Sequence, residues 1–316
     1  MNTLLAKFKG QVHALLLSAI GFLLFLILLA IVGGNRVENH DALLRSLIVA
    51  FLLCIIICMV LTSLPNRIFV PLVSIWVVAL CGYTYQSVGE MQHAIFSKWF
   101  DKSVIALEKS AFSIEPTLYI QHFVTPIVTE GMMFSYVIYG PLMLITALAC
   151  YKGGGERRVF DYLINLLLVN ILCDIGFILF PVASPVHFNP NLYHTSLNGG
   201  FFTWCGEWVR TNLHHPGESL PSAHCAVTIV MLMVSFRYNR KFFLLTLPTL
   251  IMVFPATVYC RYHYTIDVLA GIAVGVLTVY FSPIFVAVSA KMMDLVTGEV
   301  KRKISGVHLN VIETEG

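Results

Sequence analysis

Two short strings hold the side chains equipped for chemistry: Pro221-Ser222-Ala223-His224 and, about forty residues later, Arg261-Tyr262-His263-Tyr264-Thr265-Ile266-Asp267. His263 and Asp267 stand four apart, so on a helix they share one face. Asp267 is then placed to accept from one ring nitrogen of His263. That fixes the tautomer and leaves the other nitrogen's lone pair free, which is the orienting logic of a catalytic triad with imidazole as the attacking group. A neutral imidazole attacking phosphorus gives a phosphohistidine. His224 is the residue type suited to protonate a leaving oxygen near neutral pH, and to deprotonate an acceptor in a second step. Ser222, at a helix start with free N–H groups, and Arg261, with a planar cationic fork, suit phosphate oxygens. Together these are the parts of a phosphoryl-transfer site that needs neither metal nor cofactor.

The elements that must position them are membrane spans. The chain has 316 residues, of which 58% are hydrophobic and 12% charged, with a mean hydropathy of +0.81. A soluble domain carries about 25% charged residues, so much of this surface faces something other than water. A net charge of +3, with basic residues scattered through short loops, gives no nucleic-acid footprint. Runs of about 20 apolar residues mark membrane helices. Eight appear, near 12–32, 43–64, 68–88, 131–151, 160–182, 220–236, 242–259 and 264–289. The first is too long for a signal peptide. The sequence therefore predicts an all-α integral membrane protein with about eight transmembrane helices. Thirteen of the twenty Lys and Arg residues fall on the side of the two termini, which puts the termini in the cytosol and both histidine motifs on the periplasmic or lumenal side. The domain reading is two N-terminal spans over 1–66, a catalytic core over 67–290 and a polar cytosolic tail over 291–316. Within the core, 89–130 reads as an interfacial amphipathic segment that anchors the chain or steers a lipid, and 183–219 as an outer loop.

Other polar positions are less specific. Asn170 and Asp174 lie one turn apart inside the fifth span, as a substrate-facing pair or as glue between helices. His214, His215 and Glu218 precede the first motif and read as solvated loop residues or headgroup contacts. Trp204, Trp208, Tyr136 and Tyr139 fit interfacial aromatics. No zinc-type His-Glu-x-x-His occurs, and Gly153-Gly154-Gly155 lacks the ending of a phosphate loop. Cys54, Cys58, Cys81, Cys150 and Cys173 sit in apolar runs as small hydrophobes.

The two strings, the second continuing as Val268-Leu269-Ala270-Gly271, resemble the second and third signatures of the type-2 phosphatidic acid phosphatase superfamily, over roughly residues 68–289. The resemblance implies a six-helix core and metal-independent phosphoryl transfer. It also implies His263 as nucleophile, Asp267 as its partner, His224 as acid/base, and Ser222 and Arg261 as phosphate ligands. The first signature of the phosphatases, Lys with Arg-Pro seven residues on, has no counterpart, since the stretch reads Phe180-Pro181-Val182-Ala183-Ser184-Pro185-Val186-His187. Position 257, where the third signature carries its arginine, is Thr, and Arg261 stands two before the histidine. His263-Tyr264-Thr265-Ile266-Asp267 is similar to the matching string of sphingomyelin synthases. The prolines near 181 and 185 resemble the inositol phosphorylceramide branch, with His187 where a basic residue stands. His187, Asn170, Asp174 and His215 are thus further candidate substrate contacts. The reading is a lipid-headgroup transferase of the sphingolipid-synthase type, with a lipid phosphate phosphatase as the alternative and a non-catalytic lipid-binding or transport protein as the second. The partners are a lipid substrate and the bilayer.

Overall fold

The computed structural model describes residues 9–61 and 65–314. Lys7, counted above among the basic residues of the terminal side, and residues 62–64, which close the second expected span, lie outside them. The long helices are α1 (Lys9–Gly33), α2 (His40–Leu61), α3 (Asn66–Gly89), α4 (Asp101–Phe112), α5 (Pro126–Gly154), α6 (Glu156–Leu179), α7 (Phe201–Leu213), α8 (Ala223–Tyr238), α9 (Arg240–Tyr259) and α10 (Thr265–Thr314). Single turns occur at Pro116–Ile120 and Pro185–Phe188. Among the described residues there is no strand, only one isolated bridge between Val182 and Glu218 that ties together the two ends of the outer loop.

Each expected span has a helix, and seven of the eight are long and apolar enough to cross a membrane. The exception is α8, expected over 220–236. Pro221 precedes it and Ser222 caps it, with its Oγ accepting from the Cys225 N–H at 3.4 Å. Asn239 ends it and caps α9 by accepting from the Phe242 N–H at 3.1 Å. The remaining 16 residues make a rod of about 24 Å at 1.5 Å per residue. The segment expected as a polar tail from 291 on continues α10 as helix as far as Thr314.

Helix α6 is the central column and packs against α1, α3, α5, α8 and α10. Its Phe160, Tyr162, Leu163, Leu166 and Phe177 are fully buried. The tyrosine hydroxyl is satisfied by the Met143 carbonyl at 2.9 Å, as a polar group in so apolar a setting requires. Leu24, Leu28, Ile31, Leu52, Leu53, Ile56, Ile284 and Val288 face outward, the inverse of a soluble protein's surface and the arrangement a bilayer selects. Helices α8 and α10 meet most closely. A Cβ on Gly271 would lie 2.4 Å from the Ser222 carbonyl oxygen, and one on Gly275 2.6 Å from that of Ala226. Two glycines one turn apart let the motif-bearing helices touch backbone to backbone.

Segment 89–130, expected as interfacial, carries the helix α4 and two buried carboxyls. Two of its acidic residues turn inward, Asp101 and Glu108 on α4 being wholly buried, while Lys102 and Lys109 are exposed and Leu107 is half exposed. The outer loop is also more ordered than its composition suggests. Helix α7 occupies 201–213, and Glu130 of α5 caps its start by accepting from the N–H groups of Gly200, Phe202 and Thr203 at 2.7, 2.7 and 3.0 Å.

Candidate active site

The two motifs converge at one end of the bundle. The rings of His224 and His263 stand 5.7 Å apart, edge to face. His263 is buried in the turn before α10. Its Nδ1 lies 2.9 Å from the Ser219 carbonyl oxygen. A carbonyl only accepts, so Nδ1 carries the hydrogen and the lone pair is on Nε2. That Nε2 is buried and without a partner. The expected direct bond from Asp267 is not formed, because Oδ2 stands 3.8 Å from Nδ1. The carboxylate is linked to the ring instead through the Ser219 hydroxyl, which donates to Oδ2 at 2.7 Å and lies 3.3 Å from the ring nitrogen. The Tyr264 N–H also donates to Oδ2, at 2.8 Å.

His224 opens α8. Its ring stacks on Tyr136 at 4.6 Å and on Tyr139 at 4.8 Å, with His214 parallel to it at 6.2 Å and 6°. His214 itself bonds the Tyr136 hydroxyl at 2.6 Å and lies over Tyr262 at 5.4 Å. Burial, then the fields of His263, His187, His215 and Arg210, push the His214 pKa down to about 3, so this ring is neutral at physiological pH. His214, expected as a solvated loop residue or a headgroup contact, is thus part of the site wall.

The sequence of the family match now decides the identity, since the PAP2 superfamily model covers residues 102–281, more than half of the chain. The chain belongs to the PAP2 superfamily. No curated protein and no solved structure matches it. The PAP2 match leaves α1, α2 and α3 outside and includes both histidine motifs. Membership brings with it the lipid phosphatase or phosphotransferase type of activity, carried by a membrane-embedded all-helical chain.

Around the PAP2 motifs the remaining candidates divide. Ser222 is wholly buried in the seam between the two motifs: its N–H donates to the Asp267 carbonyl at 2.9 Å and its hydroxyl caps α8. Arg261 takes a left-handed backbone (φ 66°). Its guanidinium bonds the Thr195 carbonyl and lies over the Tyr193 ring at 4.4 Å, so it ties down the outer loop. The His187 ring bonds Ser184 at 2.9 Å, and burial holds its pKa below the ordinary value. His215 turns away toward α3, bonding Gln86 at 2.9 Å. Asn170 bonds its own helix at the Leu166 carbonyl, and Asp174 is buried with one carboxylate oxygen unpartnered.

Residues that sequence reasoning missed support the motif from behind. Ser219 is one. Asp101 accepts from the Ala183 N–H at 2.8 Å and the Tyr264 hydroxyl at 2.9 Å. Glu108 accepts from the Thr265 and Ile266 N–H groups and so caps α10 from another helix. Burial raises both carboxyls, that of Asp101 to about 6 despite its two hydrogen bonds. Arg210, bonded to Glu207 at 2.8 Å, is the cation whose field reaches His187, His214 and Tyr262.

Proposed function

We propose that His263 is the nucleophile of a two-step group transfer from a phospholipid to a hydroxyl acceptor. The observation that carries this is its buried, unpartnered Nε2 beside His224, with the tautomer set by the Ser219 carbonyl. In the first step Nε2 forms a bond to phosphorus as the bond to the leaving oxygen breaks, and His224 gives that oxygen its proton. In the second step the acceptor hydroxyl passes its proton to His224 and its oxygen displaces His263 from phosphorus. Both steps use one acid/base residue in opposite directions, as microscopic reversibility demands. Asp267, through Ser219, stabilises the charged adduct.

An alcohol acceptor, of the ceramide or diacylglycerol type, is preferred to water for two reasons. The charge of Arg210 is offset by Glu207, and Arg261 is turned to a loop carbonyl and the Tyr193 ring, so at most one uncompensated cation is at hand, which suits a singly charged diester better than a dianionic monoester. The wall of Tyr136, Tyr139, Tyr262 and His214 rings keeps the site apolar, which protects a phosphohistidine from hydrolysis. The sphingolipid-synthase type of transferase fits both.

The test is purified protein in liposomes with phosphatidic acid, a prenyl diphosphate, or ceramide plus a phospholipid donor, in EDTA, with His263→Ala alongside. A phospho-ceramide product lost in His263→Ala supports the transferase. Release of free phosphate lost in the variant replaces it with the hydrolase. Turnover that survives His263→Ala, or that stops in EDTA, overturns the mechanism, and no turnover with any lipid favours a binding or transport protein.

A further inference from the structure

A second polar cavity opens at the other end of the same helices. It has a volume of about 580 Å3 and lies between the start of α1, the first turns of α6, the end of α8 and the middle of α10. His224 and Arg237 are thirteen residues apart on α8, which is about 20 Å along a helix. The cavity is therefore separated from the catalytic histidines by most of the bundle's height.

Its polar groups are specific. Arg157 and Arg237 line it, and neither has a carboxylate partner among the described residues. Asp161 lines it too, but its oxygens are occupied by the Gln11 amide and by the Tyr238 hydroxyl at 2.9 Å. Arg158 is already spent on the Gly153 and Tyr238 carbonyls. Asn165 is 94% buried, given its 6% exposure. It donates to the Asp161 carbonyl at 2.6 Å, yet its Oδ1 has no partner. Two cations without a carboxylate partner, Arg237 resting over the Tyr238 ring at 5.3 Å, ask for an anion, and a buried, empty acceptor asks for an O–H or N–H donor. Met233, Val279 and Val286 supply an apolar wall beside these groups. The cavity sits near the ends of the spans, at the depth where headgroups lie.

We propose that this cavity binds the headgroup of an anionic phospholipid from the leaflet opposite the catalytic histidines. The phosphate lies between Arg157 and Arg237, a headgroup hydroxyl or amine donates to Asn165, and an acyl chain runs along Val279 and Val286. Because Gly10 and Gln11 form part of the wall, the lipid joins α1, which the PAP2 match does not include, to α6, α8 and α10.

The experiment follows thermal unfolding of the full chain in neutral detergent, as wild type and as His263→Ala, so that turnover does not confuse the reading. Three probes are titrated: short-chain phosphatidylglycerol, short-chain phosphatidylcholine and water-soluble glycerol phosphate. Phosphatidylglycerol is expected to raise Tm equally in both proteins, phosphatidylcholine and glycerol phosphate far less at equal concentration. In Arg157→Gln/Arg237→Gln the phosphatidylglycerol midpoint should move about tenfold or more to higher concentration, as for loss of charge-assisted contacts. Unchanged midpoints in that variant overturn the site. An equal response to glycerol phosphate overturns the lipid and leaves a soluble phosphate site. Should the double variant not fold, native mass spectrometry of the wild type decides: preferential retention of phosphatidylglycerol over phosphatidylcholine supports the proposal, and equal retention overturns it.

Discussion

Asp101 offers a sharp quantitative test of how the third motif is held. Its carboxyl is buried between the Ala183 N–H and the Tyr264 hydroxyl, and burial lifts its pKa from 3.8 to about 6. A folded-state pKa above the unfolded one means that the stabilising contribution is complete below pH 3.8 and is lost as pH rises through 6. The shift of about two units corresponds to about 3 kcal/mol at 1.36 kcal/mol per unit. Asn has the same shape. Its Oδ1 still accepts from Ala183, and its amide donates to the Tyr264 oxygen once that hydroxyl turns. Asp101→Asn therefore keeps the contacts and removes the ionisation cost. Relative to wild type, the variant is expected to gain about 2.5 kcal/mol between pH 4 and pH 7.5, or a Tm difference growing by about 4 °C for a chain of this length. The assay is thermal unfolding of both proteins in one detergent across that range. Taking the difference between the two cancels the opposite slope from His214, which is pushed down to about 3 and destabilises the fold as pH drops below 6.5. A Tm difference that does not change with pH, or that moves against the variant as pH rises, refutes the reasoning and shows that the clamp needs the carboxylate's charge.

Three further outcomes are expected. Ser219→Ala removes the hydroxyl that donates to Asp267 at 2.7 Å but keeps the carbonyl that sets the His263 tautomer, so kcat should fall about 10- to 100-fold with KM little changed; an unaltered kcat in steady-state turnover would refute the relay. His224→Phe keeps the ring stack and loses the acid and base, and should cost about 10²- to 10⁴-fold on an alkyl donor; on a nitrophenyl donor, whose leaving group needs no proton, the first-turnover burst of nitrophenol should recover while steady-state turnover stays low. Gly271→Ala forces a methyl to within 2.4 Å of the Ser222 carbonyl and should lower Tm and turnover together, at a cost of about 1–3 kcal/mol; a variant with wild-type Tm would mean that the α8–α10 seam yields.

The spans were legible because twenty apolar residues in a row have few other uses, and the shortness of α8 is written in Pro221 and Asn239. The meeting of His224 with His263 was legible as well, since counting spans puts both on one side. Other features left no trace in residue types. Asp101 and Glu108 look like the wet face of a surface helix, because their partners are backbone N–H groups of 183, 265 and 266, which every residue has. The acceptor for His263 is likewise a main-chain carbonyl, and a four-residue spacing alone favoured Asp267. The charge of Arg261 was visible, but its direction follows from a left-handed backbone that sends the guanidinium to Thr195. Between the adjacent His214 and His215, only the tertiary packing decides which ring faces His224.

The setting of His224 has a consequence for how often the cycle can turn without rearrangement. Among the described residues its ring is held by the faces of Tyr136, Tyr139 and His214 and by the edge of His263, with no hydrogen bond to either nitrogen. A ring fixed by shape alone has no preferred tautomer. In the proposed cycle the protonated ring gives a proton from one nitrogen and takes the next on that same nitrogen, because the other keeps its hydrogen throughout, so no flip is needed between the two half-reactions. Donor and acceptor oxygens are then served in turn at one immobile position, so the first product has to leave before the acceptor can be activated.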